Sequence, residues 1–409
     1  MAIAGTIGLT VAACAGADPA SPSPSTPQPA SLTASPTIRP AATPPPSPSL
    51  TPRPARVVGW ERKGDMPAAA NIPSPVTELV AFRGGYVAMG PSGIWLSPNG
   101  RDWALGDLPE PGVANSIASN GHQLVAVGWV SREPCRPPEP VVVGSYACSS
   151  SPVSWVSDDG LTWQSPDPWS GPADPTGGDR GSEFSGVMAV PGGGWEAWIG
   201  FHEGAAVIDS TRWRSPDGLT WEPLDEQPPL TPAYGSLVAT VGPGDDRLVW
   251  ESDYGLPNTA RFWRWTDDAW FGRPLPDEMV VSSMLAPETE SGPWLMAGFT
   301  PRDGAWVPAV WTSTSLDTWA EIILPHSTPG FPYPVRLLRL DAGYLLFGSE
   351  WNGAVGTHAT WHSQDGQTWS QVTSTEFGPA VAAFGPAGVI GVGIAGSEKP
   401  LGVWSLITE

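Results

Sequence analysis

Lysine is all but missing from this 409-residue chain, 2 against 18 arginines, and cysteine occurs three times. Charged residues make up only 15% of the sequence, too few for the salt-bridged surfaces of helical bundles or coiled coils. Acids outnumber bases 41 to 20, a net charge of −21. That argues against nucleic acid and anionic headgroups as partners, since both are held by many basic contacts. What is abundant is glycine (48), proline (50) and tryptophan (23). This is a composition of turns and large flat side chains, and it points to all-β structure.

The chain divides by composition. Residues 1–56 hold one acid, Asp18, against Arg39, Arg53 and Arg56, so the acidity belongs to residues 57–409. Residues 1–13 are small and apolar, too short to span a bilayer as a helix but long enough for a signal core. They run into Val11-Ala12-Ala13-Cys14, which resembles a bacterial lipobox, although no Lys or Arg precedes it. The resemblance implies a signal segment over 1–14, lipidation of Cys14, and a protein held outside the cytoplasm at the bacterial cell surface. Residues 15–56 are rich in Pro, Ser and Thr, have no aromatic, and read as an extended disordered tether. The remaining cysteines, Cys135 and Cys148, form an even pair. In an exported chain that favours a disulfide over two free thiols.

Residues 57–409 repeat themselves. A Trp is followed two positions on by Ser, then by a turn carrying Asp or Asn and Gly, and a second Trp stands eight positions after the first. Trp95 opens the copy with Ser97, Asn99 and Gly100; Trp155 the copy with Ser157, Asp159 and Gly160; Trp213 the copy with Ser215, Asp217 and Gly218. Trp361 opens that with Ser363, Asp365 and Gly366, while the Trp311 copy keeps Ser313 but no Gly and the Trp263 copy is one residue short. The first Trp recurs every 48 to 60 residues, the period of a four-stranded propeller blade. The turn residues suit a hairpin, because Gly accepts φ > 0 and Asp can accept a turn amide. Two more apolar runs precede each copy, which makes six units of four strands. Residues 378–406 supply three strands of a seventh, and residues 57–62, with Trp60, can supply its fourth. The expected fold is therefore an all-β, seven-bladed β-propeller with four-stranded antiparallel blades, the last blade closed by the N-terminal strand. Closure removes the exposed sheet edges.

The stretch Ser215-Pro-Asp217-Gly218-Leu-Thr220-Trp221 resembles the Asp-box, or bacterial neuraminidase repeat, with one residue fewer between Asp and Gly. The resemblance implies that Ser97, Asn99, Asp159, Asp217 and Asp365 are structural and lie away from the ligand face. It also raises a sialidase-like activity, which in that family uses three arginines and a Tyr-Glu pair. Alignment of the inner strands gives a pore-side column of Glu78, Asn115, Gly186, Ser236, Ser282, Arg336 and Ala380, with one arginine instead of three. Glu78 and Arg336 are thus the catalytic candidates. Glu183, Glu278 and Glu376 are further carboxylates near inner-strand starts, and a retaining glycosidase needs two about 5 Å apart.

Other motifs lack their context. Gly391-Val-Gly393-Ile-Ala-Gly396 is followed by no helix start, as dinucleotide binding needs. His358 and His362, four apart on a strand, do not converge as zinc ligands, so neither a metal nor a cofactor is called for. The face opposite the motif turns carries Trp129, Trp169, Tyr254, Trp306 and Trp351, aromatics suited to stacking on a sugar or a peptide. With Asn115 these are the candidate ligand contacts. The expected function is a tethered, monomeric module that binds a glycan or a cell-envelope protein without catalysis. It would meet the membrane only through its lipid anchor, and the alternative is a sialidase-like glycoside hydrolase acting on extracellular glycans.

Overall fold

The computed structural model describes residues 57–67, 76–90, 93–106, 108, 112–131, 150–166, 181–190, 192–203, 206–228, 237–241, 247–251, 261–266, 269–273, 279–289, 292–326, 331–341, 343–351, 356–375, 378–394 and 401–408. The proposed signal segment, tether, Cys14, Cys135, Cys148, Trp169, Ser236, Tyr254, Glu278 and Glu376 lie outside them.

Among the described residues all 27 elements are strands, and they form seven antiparallel sheets, each running from an inner to an outer strand. The inner strands of blades 1 to 7 are Glu78–Phe82, Val113–Ser119, Gly181–Ala189, Leu237–Val241, Val280–Leu285, Phe331–Leu340 and Val381–Gly385. The ring closes as the sequence predicts: strand Val57–Asp65 pairs antiparallel with Leu401–Thr408 and becomes the outer strand of blade 7. Blade 2 departs from the pattern, since its fourth strand shrinks to one bridge between Val156 and Gln164.

The core is distributed around the ring. Seven clusters of buried apolar residues each lie between two neighbouring blades. The first Trp of the motif fills them: Trp95, Trp155, Trp213, Trp311 and Trp361 are all buried.

The turns explain the motif. In blade 3, Ser215 Oγ accepts from the Gly218 amide (2.8 Å), while Asp217 Oδ1 accepts from the Leu219 and Thr220 amides (2.9 and 2.7 Å). The same bonds recur about Asp159 and Asp365, and Asn99 Oδ1 accepts from the Arg101 and Asp102 amides. In both Asp159 and Asp365 these backbone amides hold the carboxyl below its usual range. The bonds tie each side chain into its own turn. In blade 5, Leu316 occupies the glycine position at φ 65° and is buried against blade 4, so its apolar contact offsets a conformation that side chains seldom adopt.

One expectation is corrected in register. Inner strands carry β-bulges at Asn115, Ser185, Ser282 and Val335, and a bulge moves the following side chain to the other face. Thr77 and Ala380 share the pattern, their amides bonding the Met89 and Val392 carbonyls. The bulge hydroxyls anchor it: Thr77, Ser185 and Ser282 donate to Met89, Trp198 and Ala297 carbonyls. The residues at one level of the ring are therefore Glu78, Ser116, Gly186, Val238, Ser283, Arg336 and Val381. Asn115, Ser282 and Ala380 stand one position out of that level.

Candidate functional site: the inner ring and the far face

At this level, side chains bridge blade to blade. Glu78 Oε2 accepts from the Ile117 amide of blade 2 (2.9 Å), and its other oxygen accepts from Ser116 Oγ (3.2 Å). Ser116 Oγ accepts in turn from the Val187 amide of blade 3 (3.3 Å), and Ser283 Oγ of blade 5 from the Leu337 amide of blade 6 (3.0 Å). A side chain on one blade thus caps the free-edge amide of the next. Sequence reasoning missed Ser116 and Ser283 because the bulges hid their register.

Glu78 is 2% exposed. Burial pushes its carboxyl up to about 7, against the opposing pull of Arg336, the Ile117 amide and Ser116. Arg336, also buried, has its pKa lowered by burial, and Glu78 works against that shift. The two catalytic candidates are therefore brought into electrostatic contact, but as carboxylate and cation. Glu183 sits half-buried on blade 3, and the charged group that acts on Glu78 among the described residues is the Arg336 guanidinium. No group of three His, Cys, Asp or Glu among the described residues comes together to hold a metal ion.

The raised Glu78 value fixes a pH dependence. The protonated form favours the fold, so the contribution is most favourable below about pH 4.5 and is lost as pH rises through about 7, costing about 3 kcal/mol at full ionisation. Glu78→Gln, which stays neutral and can still accept from Ile117, is expected to match the wild type near pH 4. At pH 8 it should exceed the wild type by up to about 3 kcal/mol. Urea unfolding at both pH values checks this, and parallel pH profiles would contradict it.

The remaining candidates fare unevenly. Asn115 is buried and donates its amide to the Phe184 carbonyl of blade 3 (2.8 Å), so it bridges two blades. Trp129 ends the second strand of blade 2 (Leu124–Ser131), half-buried opposite Val113 and Pro152. Trp306 begins the third strand of blade 5 (Ala305–Ser313), half-buried, its ring edge-on to Phe299 at 5.1 Å. Trp351 ends the second strand of blade 6 (Gly343–Trp351). All three lie at the strand ends away from the Ser–Asp turns.

A buried charge cluster had no signal in the sequence. Glu196 on the second strand of blade 3 (Trp195–Glu203) meets Arg247 of blade 4 at 2.8 Å and Arg212 of its own blade at 3.7 Å. The Arg212 guanidinium also lies over the rings of Trp270 and Trp265, 5.1 and 5.7 Å from their centres. These charges fill the blade 3–4 seam, where the buried apolar cluster is Met188, Trp198, Ala239 and Val249 alone.

The fold defines the chain as a seven-bladed β-propeller. Neither a family model nor a curated protein sequence matches it. Among solved structures it is similar to a protein of unknown function from Dyadobacter fermentans DSM 18053, at 16% identity over 72% of this chain and 95% of that one, TM-score 0.46. It is similar also to the SapL1 lectin in complex with alpha methyl fucoside, at 11% identity over 75% and 97%, TM-score 0.42. A third is a PL25 polysaccharide lyase, an ulvan lyase, at 12% identity over 87% and 98%, TM-score 0.48. At these values the likeness is one of general architecture.

Proposed function

We propose that this protein is a non-catalytic binding or assembly module, held outside the cytoplasm by a lipid on Cys14 and a tether over residues 15–56. It takes a glycan or a cell-envelope protein on the face opposite the Ser–Asp turns, with Trp129, Trp306 and Trp351 as stacking surfaces and with Trp169 and Tyr254 on the adjoining loops. A disulfide between Cys135 and Cys148 staples the longest of those loops. The hydrogen-bonded Ser–Asp turns support a place beside the Asp-box, sialidase-like propellers. The observation that carries a binding role over hydrolysis is the state of Glu78. It is buried, it caps the neighbouring blade's amide, and its charged companion among the described residues is Arg336 and not a second carboxylate, whereas glycoside hydrolysis uses a carboxylate pair. The test is a combined binding and turnover screen with Trp306→Ala as the paired variant.

A further inference from the structure

The caps on the inner ring are interrupted in two sectors, at Gly186 and Val238 of blades 3 and 4 and at Arg336 and Val381 of blades 6 and 7. Capping runs from blade 1 to 2, from 2 to 3 and from 5 to 6, each time through an oxygen that accepts the next blade's amide. Arg336 of blade 6 and Val381 of blade 7 stand at the same level and have no acceptor to offer. The amides that correspond to Ile117, Val187 and Leu337 in the following blades are those of Ala382 and Leu79. Both residues are buried, at 0% and 1% exposure. On blade 6 the Arg336 side chain is 7% exposed, and the charge that acts on it is that of Glu78. Apart from the Glu78 carboxylate, this sector of the channel wall offers donors: one guanidinium and two edge amides. Gly186 of blade 3 and Val238 of blade 4 also lack an acceptor, but neither is itself a cation. Buried donors gathered without acceptors form an anion-binding surface.

We infer that the sector spanning blades 6, 7 and 1 is a site for a small oxyanion or carboxylate, held by Arg336 with the Ala382 and Leu79 amides, and that a proton taken up by Glu78 accompanies the anion. The site is separate from the tryptophan face and does not depend on its role. The coupling follows from position. Glu78 and Arg336 flank blade 7, and an ionised Glu78 competes with an incoming anion for the guanidinium. The elements packed against the Glu78 strand are Gly85–Gly90, Val113–Ser119 and Val381–Gly385. Their one titratable residue is Tyr86, whose hydroxyl is bonded at Gly388 and Ala387. Arg336 and Ser116 complete the described surroundings, so among the described residues Glu78 is the group that takes up the proton. Glu78 ionises about pH 7, which places the change within reach of ordinary buffers.

The experiment is isothermal titration calorimetry of the full chain with sodium acetate and with sodium sulfate, at pH 6 and pH 8 and constant ionic strength. If the protonated form is the competent one, its fraction falls about tenfold between these pH values and the apparent Kd rises about tenfold with it. Buffers of different ionisation enthalpy should register close to one proton taken up per anion at pH 8. Glu78→Gln should bind equally at both pH values, and Arg336→Met should bind at neither. Should Arg336→Met fail to fold, the Glu78→Gln profile stands as the second arm, with tryptophan fluorescence reporting the integrity of each variant. Tighter acetate assigns the site to a carboxylate, and tighter sulfate to a tetrahedral oxyanion. Absence of binding at pH 6 at tens of millimolar, an unchanged pH dependence in Glu78→Gln, or binding that survives in folded Arg336→Met overturns the inference.

Discussion

Gly218→Val is expected to cost about 3–5 kcal/mol of unfolding free energy. Two physical terms add. The residue sits at φ 78°, where an L side chain pays about 1–2 kcal/mol and a branched one more. A Cβ there would also lie 2.4 Å from Val125 Cγ2 and 3.0 Å from Val156 Cγ2 of blade 2, and overpacking of this kind costs about 1–3 kcal/mol. Gly192 separates the two terms: its φ is 87° but nothing lies within 4 Å of the position a Cβ would take. Gly192→Ala should therefore cost about 1 kcal/mol, and Gly218→Ala clearly more. Equal losses in a denaturant titration would show that the motif glycine serves only its turn and not the contact between blades.

Glu196→Ala carries the other large effect, a loss of about 3–5 kcal/mol, because it removes the carboxylate that the buried Arg212 and Arg247 share. Glu196 is fully buried, and its oxygens meet the two guanidinium groups as ion pairs, not as aligned hydrogen bonds. The pairing itself is worth little against a well-packed apolar seam, whereas breaking one side of it is costly. Combining Glu196→Ala with Arg247→Met should accordingly be less damaging than the two single losses added together. Strict additivity in the double-mutant cycle would remove the cluster's role as the clasp between blades 3 and 4.

Much of the architecture was legible because the propeller repeats its local grammar. A Trp, a Ser–Asp turn and a second Trp, recurring at blade spacing, give blade number and strand order, and Trp60 beside Trp404 gives the closure. The finer placement was not legible. A β-bulge adds one residue without any composition of its own, and it moved the inner level from Asn115 to Ser116 and from Ser282 to Ser283. Charges that meet across strands and blades leave no spacing to find: Glu196, Arg212 and Arg247 belong to three strands and two blades. The burial of Glu78 was hidden for a similar reason, since its partners Ile117 and Arg336 come from blades 2 and 6. Leu316 shows how a motif can lose its glycine where the side chain itself becomes interblade packing.

The most direct measurement is a glycan array and a glycosidase screen run on the same preparation of wild type, Trp306→Ala and Glu78→Gln. The expected result is binding without turnover, weakened about tenfold or more by Trp306→Ala through lost stacking and unchanged in Glu78→Gln. If an envelope protein and not a glycan is the ligand, the array is silent and the same variants apply to pull-downs from the cell envelope. Turnover of any glycan that disappears in Glu78→Gln would contradict a binding role and make the inner ring the catalytic centre.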